Sequence, residues 1–131
     1  MILTGRREPR VMREVVLADD DLMFRAWLES VLEQGGDLHV VGEANDGETA
    51  LELVETLHPD VVIADVYMRD MDGLEVARRI KHSHPKIDSI LVSAHSDRTH
   101  ERLAVEEGAL ALIPKQRVSA EAVRHALKKA V

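Results

Sequence analysis

The amino-acid sequence predicts a doubly wound α/β fold in which five parallel β-strands alternate with five α-helices. Short, continuous runs of apolar residues recur along the chain, and the segments between them repeat their apolar residues with the period of a helix. Such alternation is typical of a parallel sheet with helices packed on both faces. With 131 residues, the chain is long enough to build one domain around a hydrophobic core.

The strands are predicted where apolar residues follow one another without polar interruption. Four such runs lie at residues 15–18, 61–64, 90–92 and 110–113. Unbroken apolar runs indicate strands that are covered on both faces, whereas alternation indicates one exposed face. The fifth segment, Leu38–Ala44, includes His39 and Glu43 among its apolar residues. We therefore expect that segment to form an edge of the sheet.

The helices are predicted over residues 22–34, 46–57, 73–82, 97–107 and 119–131. The first stops at Gly35-Gly36, which suit a helix C-terminus. It places four apolar side chains on one face, those of Phe24, Trp27, Leu28 and Val31. Trp27 is accordingly interpreted as a core residue. The last helix has the clearest apolar face, formed by Val123, Ala126, Leu127, Ala130 and Val131.

The composition excludes several classes of protein. The absence of cysteine rules out a disulfide framework, cysteine-ligated zinc and thiol catalysis. No apolar run approaches the ~18 residues of a membrane span, and the N-terminus lacks a secretory signal, so we expect a cytoplasmic protein. A net charge of −7 makes the domain a poor ligand for nucleic acid. Residues 1–13 contain four arginines and are expected to form a flexible basic extension.

Polar residues with catalytic or metal-binding chemistry follow four of the predicted strands. The first strand runs into Asp19-Asp20-Asp21, the third ends at Asp65, the fourth at Ser93, and the fifth is followed by Lys115. The carboxyl ends of parallel strands lie at one edge of a sheet, so these groups should meet there. A simpler interpretation is that the first three carboxylates only cap a helix. Because such polar residues follow four different strands, we favour a functional site over simple helix capping.

The predicted carboxylate cluster needs a cation, because adjacent carboxylates repel one another. Oxygen ligands without cysteine favour a hard ion such as Mg²⁺. An aspartate nucleophile beside Mg²⁺, with a lysine and a hydroxyl nearby, is equipped to accept a phosphoryl group. Histidine metal ligation is not predicted, because the spacing of His82, His84, His95 and His100 matches no metal-binding pair.

Residues 14–131 resemble the receiver domain of two-component response regulators. Three segments carry the resemblance: VVLADD at 15–20, PDVVIADVYMRDMDG at 59–73 and GALALIPK at 108–115. The resemblance implies a flavodoxin-like fold with strand order 2-1-3-4-5. It also implies that Asp65 is the phosphoacceptor and that Ser93 and Lys115 are the family's switch hydroxyl and lysine.

The same resemblance implies how the metal is held. Mg²⁺ would be bound by Asp19, Asp20, Asp65 and the backbone carbonyl of Tyr67. Tyr67 and His95 are expected to flank the entrance to the acceptor and to restrict the attacking water.

The chain departs from the family pattern at three positions. Arg69 replaces a proline and should loosen the loop after Asp65, and Gln116 replaces the proline that often follows the lysine. Leu112 stands in the place of the aromatic switch residue. We expect these changes to affect the outgoing signal rather than the chemistry at Asp65.

The favoured function is a phosphorylation-dependent switch that is not itself an enzyme. Its partner would be a sensor histidine kinase, and the last segment resembles receivers joined to a LuxR-type helix-turn-helix output that regulates transcription. Homodimer formation is left open. One alternative is a phosphatase of the haloacid-dehalogenase type, which usually has a second aspartate where this chain has Tyr67. The other is a pseudo-receiver that binds proteins without being phosphorylated.

Overall fold

The computed structural model describes residues 12–95 and 98–130, and within them five strands form one parallel sheet. The strands are β1 (Arg13–Ala18), β2 (Leu38–Ala44), β3 (Val61–Asp65), β4 (Asp88–Ser93) and β5 (Ala111–Pro114). Their order is β2-β1-β3-β4-β5, which confirms the predicted fold and places β2 at an edge. β1 begins one residue before the predicted domain boundary, and residues 1–11 of the expected extension lie outside the described residues.

Five α-helices alternate with the strands in the part of the chain that the structure describes. They are α1 (Leu22–Glu33), α2 (Gly47–Leu57), α3 (Gly73–Ser83), α4 (Arg98–Glu106) and α5 (Ala120–Lys128), and a short 3₁₀ helix covers Lys115–Arg117. The last helix ends three residues earlier than predicted: Ala130 is exposed and Val131 lies outside the described residues. None of the helices in this part of the chain is long and apolar enough to cross a membrane.

The unbroken apolar strands are buried on both faces, as predicted. Neighbouring residues of each strand point to opposite faces, so Val16, Ala64 and Leu91 join one core cluster. Val15, Ile63 and Ile90 join the other. The first cluster is completed by residues of α2, α3 and α4, and the second by residues of α1 and α5.

The predicted apolar face of the first helix is confirmed for Leu28 and wrong for Trp27. α1 buries Leu28 and Leu32, whereas Trp27 is 47% exposed and stacks only obliquely on Phe24, with ring centroids 5.6 Å apart. Apolar residues surround much of this helix, including the exposed Leu22 and Met23, so its periodicity does not single out one face. Packing against the sheet selects the stripe that contains Leu28 and Leu32.

Side-chain caps begin four of the helices and set where the loops at the carboxyl edge of the sheet end. Asp21, Asp46 and Asp72 each accept the backbone N–H three residues later, at the starts of α1, α2 and α3. Ser119 does the same for α5. The capping interpretation is therefore correct for Asp21, which leaves the two preceding aspartates for another role.

Candidate functional site

The structure brings the predicted polar residues together at the carboxyl edge of the sheet. Asp19 follows β1, Asp65 and Ser93 are the last residues of β3 and β4, and Lys115 follows β5. β1 and β4 both pair with β3, so three of these strand ends are direct neighbours. Asp19, Asp65 and Ser93 are all buried, in a protein whose other buried residues are almost entirely apolar.

Lys115 joins two of the carboxylates. Its Nζ lies 2.8 Å from Asp19 Oδ2 and 3.0 Å from Asp65 Oδ2. The ammonium group also sits 4.4 Å from the centroid of the Phe24 ring, in a cation–π contact. Burial alone would lower the pKa of Lys115, but the two ion pairs outweigh it and raise the pKa. Lys115 is therefore a permanently charged group at neutral pH.

Three carboxylates converge around that lysine. Asp19, Asp20 and Asp65 each offer an oxygen, and these oxygens lie within 4.8 Å of one another. Burial raises the pKa of Asp19, and the charge of Asp65 adds to this effect, while the hydrogen bond from Lys115 opposes it. Three carboxylates beside one ammonium leave an excess of negative charge in a partly buried site.

These residues fit a hard divalent cation. The three oxygens are close enough to share one ion, and carboxylate oxygens are the ligands that Mg²⁺ prefers. In the described residues, this is the one group of acidic or histidine side chains with such an arrangement. Asp20 is exposed, so the carboxylate cluster is open to solvent on the side of Asp20.

Ser93 reaches the site but directs its hydroxyl toward its own loop. Its Oγ donates to the carbonyl of His95 at 2.6 Å and accepts the N–H of the same residue at 3.2 Å. The hydroxyl therefore holds the start of the loop between β4 and α4. His95 itself is an exposed residue at that turn.

Tyr67 connects the loop between β3 and α3 to α4. Its backbone N–H donates to Asp65 Oδ1 at 3.1 Å, which orients the carboxylate. Its hydroxyl lies 3.3 Å from His100 Nε2, and the two rings meet edge to face with centroids 6.4 Å apart. This contact with His100 was not predicted; the prediction that Tyr67 and His95 flank the entrance to Asp65 stays a prediction.

The loop after Asp65 is anchored at both of its ends, although Arg69 stands in the place of the family's proline. Asp70 accepts the N–H groups of Gly47 and Glu48, both at 2.8 Å, at the start of α2. These hydrogen bonds, led by the one from Gly47, lower the pKa of Asp70. The N–H of Gly73 donates to the carbonyl of Val66 at 2.7 Å, which joins the end of the loop to its beginning.

Leu112 lies in the core rather than at the surface. It is 7% exposed and belongs to the cluster that includes Ala104 of α4 and Leu91 of β4. The residue predicted to stand in the aromatic switch position is thus a buried aliphatic side chain.

Sequence reasoning missed Arg25. Its Nη1 donates to the backbone carbonyl of Asp19 at 2.5 Å, and its Nε pairs with Glu43 Oε1 at 2.8 Å. Arg25 is the only basic residue of α1 and lies close to its start, soon after the acidic segment. That isolated positive charge was the available signal, but nothing local showed that it folds back onto Asp19.

Fold, strand-end carboxylates and lysine together define a class of signalling domain. The chain belongs to the response regulator receiver domain family, whose sequence model matches residues 15–128. Among solved structures, the signal receiver domain of the response regulator NarL from Mycobacterium tuberculosis superposes with a TM-score of 0.84 and 34% identity. The match covers 92% of this chain and 98% of the NarL domain.

Curated relatives include both transcriptional regulators and enzymes. The transcriptional regulatory protein LiaR of Bacillus subtilis is 38% identical over 122 residues, and the match covers 89% of this chain and 57% of LiaR. A protein-glutamate methylesterase/protein-glutamine glutaminase of Geobacter metallireducens is 36% identical over 79% of this chain, but over only 30% of its own length. The chain spans about half the length of the first regulators it matches.

Proposed function

We propose that the domain is a phosphorylation switch in which Asp65 accepts a phosphoryl group with the help of Mg²⁺. The observation that carries the proposal is the contact of Lys115 Nζ with both Asp19 and Asp65, beside a third carboxylate from Asp20. A buried aspartate next to a fixed ammonium and a metal-binding pair is suited to phosphoryl transfer, where positioning and charge neutralisation do most of the work.

In the proposed reaction, a carboxylate oxygen of Asp65 attacks the phosphorus of a phosphohistidine. A P–O bond forms as the P–N bond to the donor imidazole breaks, and the product is an acyl phosphate on Asp65. Asp19, Asp20, Asp65 and the backbone carbonyl of Tyr67 would hold Mg²⁺, which would supply charge stabilisation on the phosphoryl oxygens. Lys115 would exchange its contact with Asp65 for one with a phosphoryl oxygen.

The proposed signal leaves the site through Ser93. Its single hydroxyl hydrogen now donates to the carbonyl of His95, and the same hydrogen is needed to bind a phosphoryl oxygen. Capture of the phosphoryl group would therefore release the turn at His95 and change the position of α4. Leu112 would contribute little, because it is already buried and has no hydroxyl to exchange partners.

The partners follow from the proposed role. The phosphoryl donor would be a sensor histidine kinase in the cytoplasm, and the receiver would control a helix-turn-helix DNA-binding output of the LuxR type or a separate partner, with or without homodimer formation. NarL and LiaR are transcriptional regulators, which supports that output. The domain would catalyse no reaction on another substrate, and its acidic surface would not bind DNA itself.

The proposal is tested by incubating the protein with Mg²⁺ and a small phosphodonor such as acetyl phosphate. Intact mass should show the addition of one phosphoryl group, and Asp65→Asn should abolish it because the amide is not a nucleophile. Asp60→Asn is the matched control, because Asp60 is an aspartate directly before the first residue of β3, at the end of the strand opposite Asp65. Labelling of the Asp65 variant at the wild-type level would disprove the acceptor, and an unlabelled wild type would favour the pseudo-receiver.

The metal requirement is tested by Asp20→Ala in the same assay. The variant should lose Mg²⁺ binding and phosphorylation together, because one of three carboxylates that converge on the ion is removed. In the wild type, Mg²⁺ should also raise the unfolding temperature. This increase should grow as the Mg²⁺ concentration rises above the dissociation constant. Phosphorylation of Asp20→Ala at the wild-type Mg²⁺ concentration would contradict the proposed metal site.

A further inference from the structure

Arg25 ties the acidic segment after β1 to the neighbouring edge strand. Its Nη1 donates to the backbone carbonyl of Asp19 at 2.5 Å and contacts the carbonyl of Ala44 at 3.4 Å. Its Nε pairs with Glu43 Oε1 at 2.8 Å, and the side chain is only 13% exposed. The N–H of Asp19 donates to the same Ala44 carbonyl at 3.0 Å. One guanidinium thus holds the carboxyl ends of β1 and β2 together.

These contacts determine how the backbone on either side of Asp20 is placed. The carbonyl of Asp19 and the N–H of Asp20 belong to one planar peptide unit, so a guanidinium on that carbonyl orients the whole unit. The next peptide unit is held through the N–H of Asp21, which donates to Asp19 Oδ1 at 2.8 Å. The exposed Asp20 therefore emerges between two fixed peptide units.

We propose that Arg25 is a positioning residue for the metal site, because it fixes the peptide that aims the carboxylate of Asp20. This inference rests on the proposed function, since it assigns Arg25 a role in binding the ion that phosphoryl transfer needs. Arg25 donates to the backbone of Asp19 rather than to the metal-binding oxygens. Removal of a partner that orients a metal ligand typically weakens metal binding about 10-fold or more.

Electrostatic repulsion and positioning predict opposite changes in Mg²⁺ affinity when Arg25 is replaced. A guanidinium near the site repels Mg²⁺, so if only charge mattered, its removal would strengthen binding of the ion. If Arg25 positions Asp20, its removal weakens binding in spite of the lost repulsion. The direction of the change in affinity therefore separates the two effects.

The experiment is a calorimetric titration of Mg²⁺ into wild type, Arg25→Gln and Arg124→Gln. Arg124 is a matched control because it also makes a side-chain ion pair, with Nε 2.7 Å and Nη2 3.0 Å from the carboxylate of Asp37. Asp37 precedes β2, at the opposite end of the sheet from the carboxylate cluster. Arg25→Gln should weaken Mg²⁺ binding about tenfold, whereas Arg124→Gln should leave it within about twofold, since no metal ligand depends on that pair. Unchanged or tighter binding in Arg25→Gln would overturn the proposal.

Arg25→Lys separates positioning from a general need for a folded site. Lysine keeps the positive charge but lacks the planar guanidinium that lets arginine bind a carbonyl and Glu43 at once. The Mg²⁺ affinity of Arg25→Lys should therefore lie between those of wild type and Arg25→Gln. Affinity equal to wild type in Arg25→Lys would overturn the proposal even if Arg25→Gln does not fold.

The Mg²⁺ dependence of phosphorylation gives a second readout. In Arg25→Gln, half-maximal phosphorylation should need about tenfold more Mg²⁺, while the rate at saturating Mg²⁺ stays within about twofold of wild type. A lower saturating rate with an unchanged half-maximal concentration would contradict positioning. A wild type that neither binds Mg²⁺ nor is phosphorylated would refute the proposed function itself, which distinguishes that failure from a failure of the role of Arg25.

Discussion

Gly73 shows how one residue without a side chain lets the loop between β3 and α3 close on itself. A Cβ at this position would lie 2.5 Å from the backbone oxygen of Asp65 and 3.0 Å from the Cα of Val66. Gly73 is also the first residue of α3, and its N–H donates to the carbonyl of Val66. The turn that follows Asp65 therefore depends on direct backbone contact with the start of the helix.

We expect Gly73→Ala to destabilise the protein by about 1–3 kcal/mol, because the added methyl group must displace backbone rather than a flexible side chain. Helix propensity alone predicts the opposite sign, a gain of up to about 1 kcal/mol. Urea unfolding measures the difference. Gly47→Ala is the control: Gly47 also begins a helix, but its Cβ would first meet the flexible side chain of Met71. Equal effects of the two substitutions would show that contact with Asp65 is unimportant.

Tyr67 and His95 are predicted to restrict the water that hydrolyses the acyl phosphate. Tyr67 follows the acceptor by two residues and is held by His100 across the loop, and His95 adjoins the turn that Ser93 holds. The double variant Tyr67→Asn, His95→Ser should lose its phosphoryl group several-fold faster, as followed by intact mass after removal of the donor. His125→Ser on α5 is the control. An unchanged decay rate would exclude steric restriction by these two side chains.

At the scale of elements, α2 is capped by a loop that belongs to a different βα unit. Asp70, which lies in the loop between β3 and α3, accepts hydrogen bonds from the N–H groups of Gly47 and Glu48 at the start of α2. Asp46 caps the same helix locally by accepting the N–H of Thr49. The loop between β3 and α3 is therefore fixed to the N-terminus of a neighbouring helix, where a negative charge is favourable.

We expect Asp70→Ala to lower the free energy of unfolding by about 1 kcal/mol near neutral pH. The hydrogen bonds from Gly47 and Glu48 lower the pKa of Asp70 in the folded state. Its stabilisation is therefore complete above the ordinary aspartate pKa and is lost as the pH falls through the lower, folded value. Unfolding curves of wild type and variant should thus converge in acid. A difference in stability that persists at low pH would contradict a charge-dependent cap.

At the scale of the whole molecule, α4 buries fewer residues than the helices that flank it. Ala104 is its one fully buried residue among those described, whereas α3 and α5 each bury three or more. Leu112, in the aromatic switch position, is packed in the same core cluster as Ala104. A change at Ser93 should therefore move α4 more easily than it moves β5.

Amide hydrogen exchange with and without beryllofluoride, a mimic of the phosphoryl group, tests this route. We expect altered protection at residues 93–95 and 98–106 and only minor change at Leu112. Loss of the hydrogen bond from Ser93 to His95 is the physical cause, since it frees the turn before α4. Ser93→Ala, which lacks the hydroxyl, should show no such difference. Changes confined to β5 would show that Leu112 carries the switch.

The sequence alone determined the features that depend on local pattern. Unbroken apolar runs predicted four of the five strands, and the mixed segment at 38–44 predicted one of the two edge strands, β2. The rule that parallel strands end at one edge of a sheet predicted the meeting of Asp19, Asp65, Ser93 and Lys115. These predictions succeeded because consecutive residues record strand burial, and because a helix between successive strands makes them parallel.

Only the tertiary structure decided features that depend on contacts between distant residues. The rotation of α1 about its axis places Trp27 at the surface and Arg25 against Asp19, and both follow from packing of Leu28 and Leu32 on the sheet. Asp21 and Asp20 are neighbours of the same type, yet one caps α1 and the other joins the carboxylate cluster. Their roles differ because the backbone direction after β1 is set by two hydrogen bonds of Asp19, which no local pattern records. Its N–H donates to the carbonyl of Ala44, and its carbonyl accepts from Arg25.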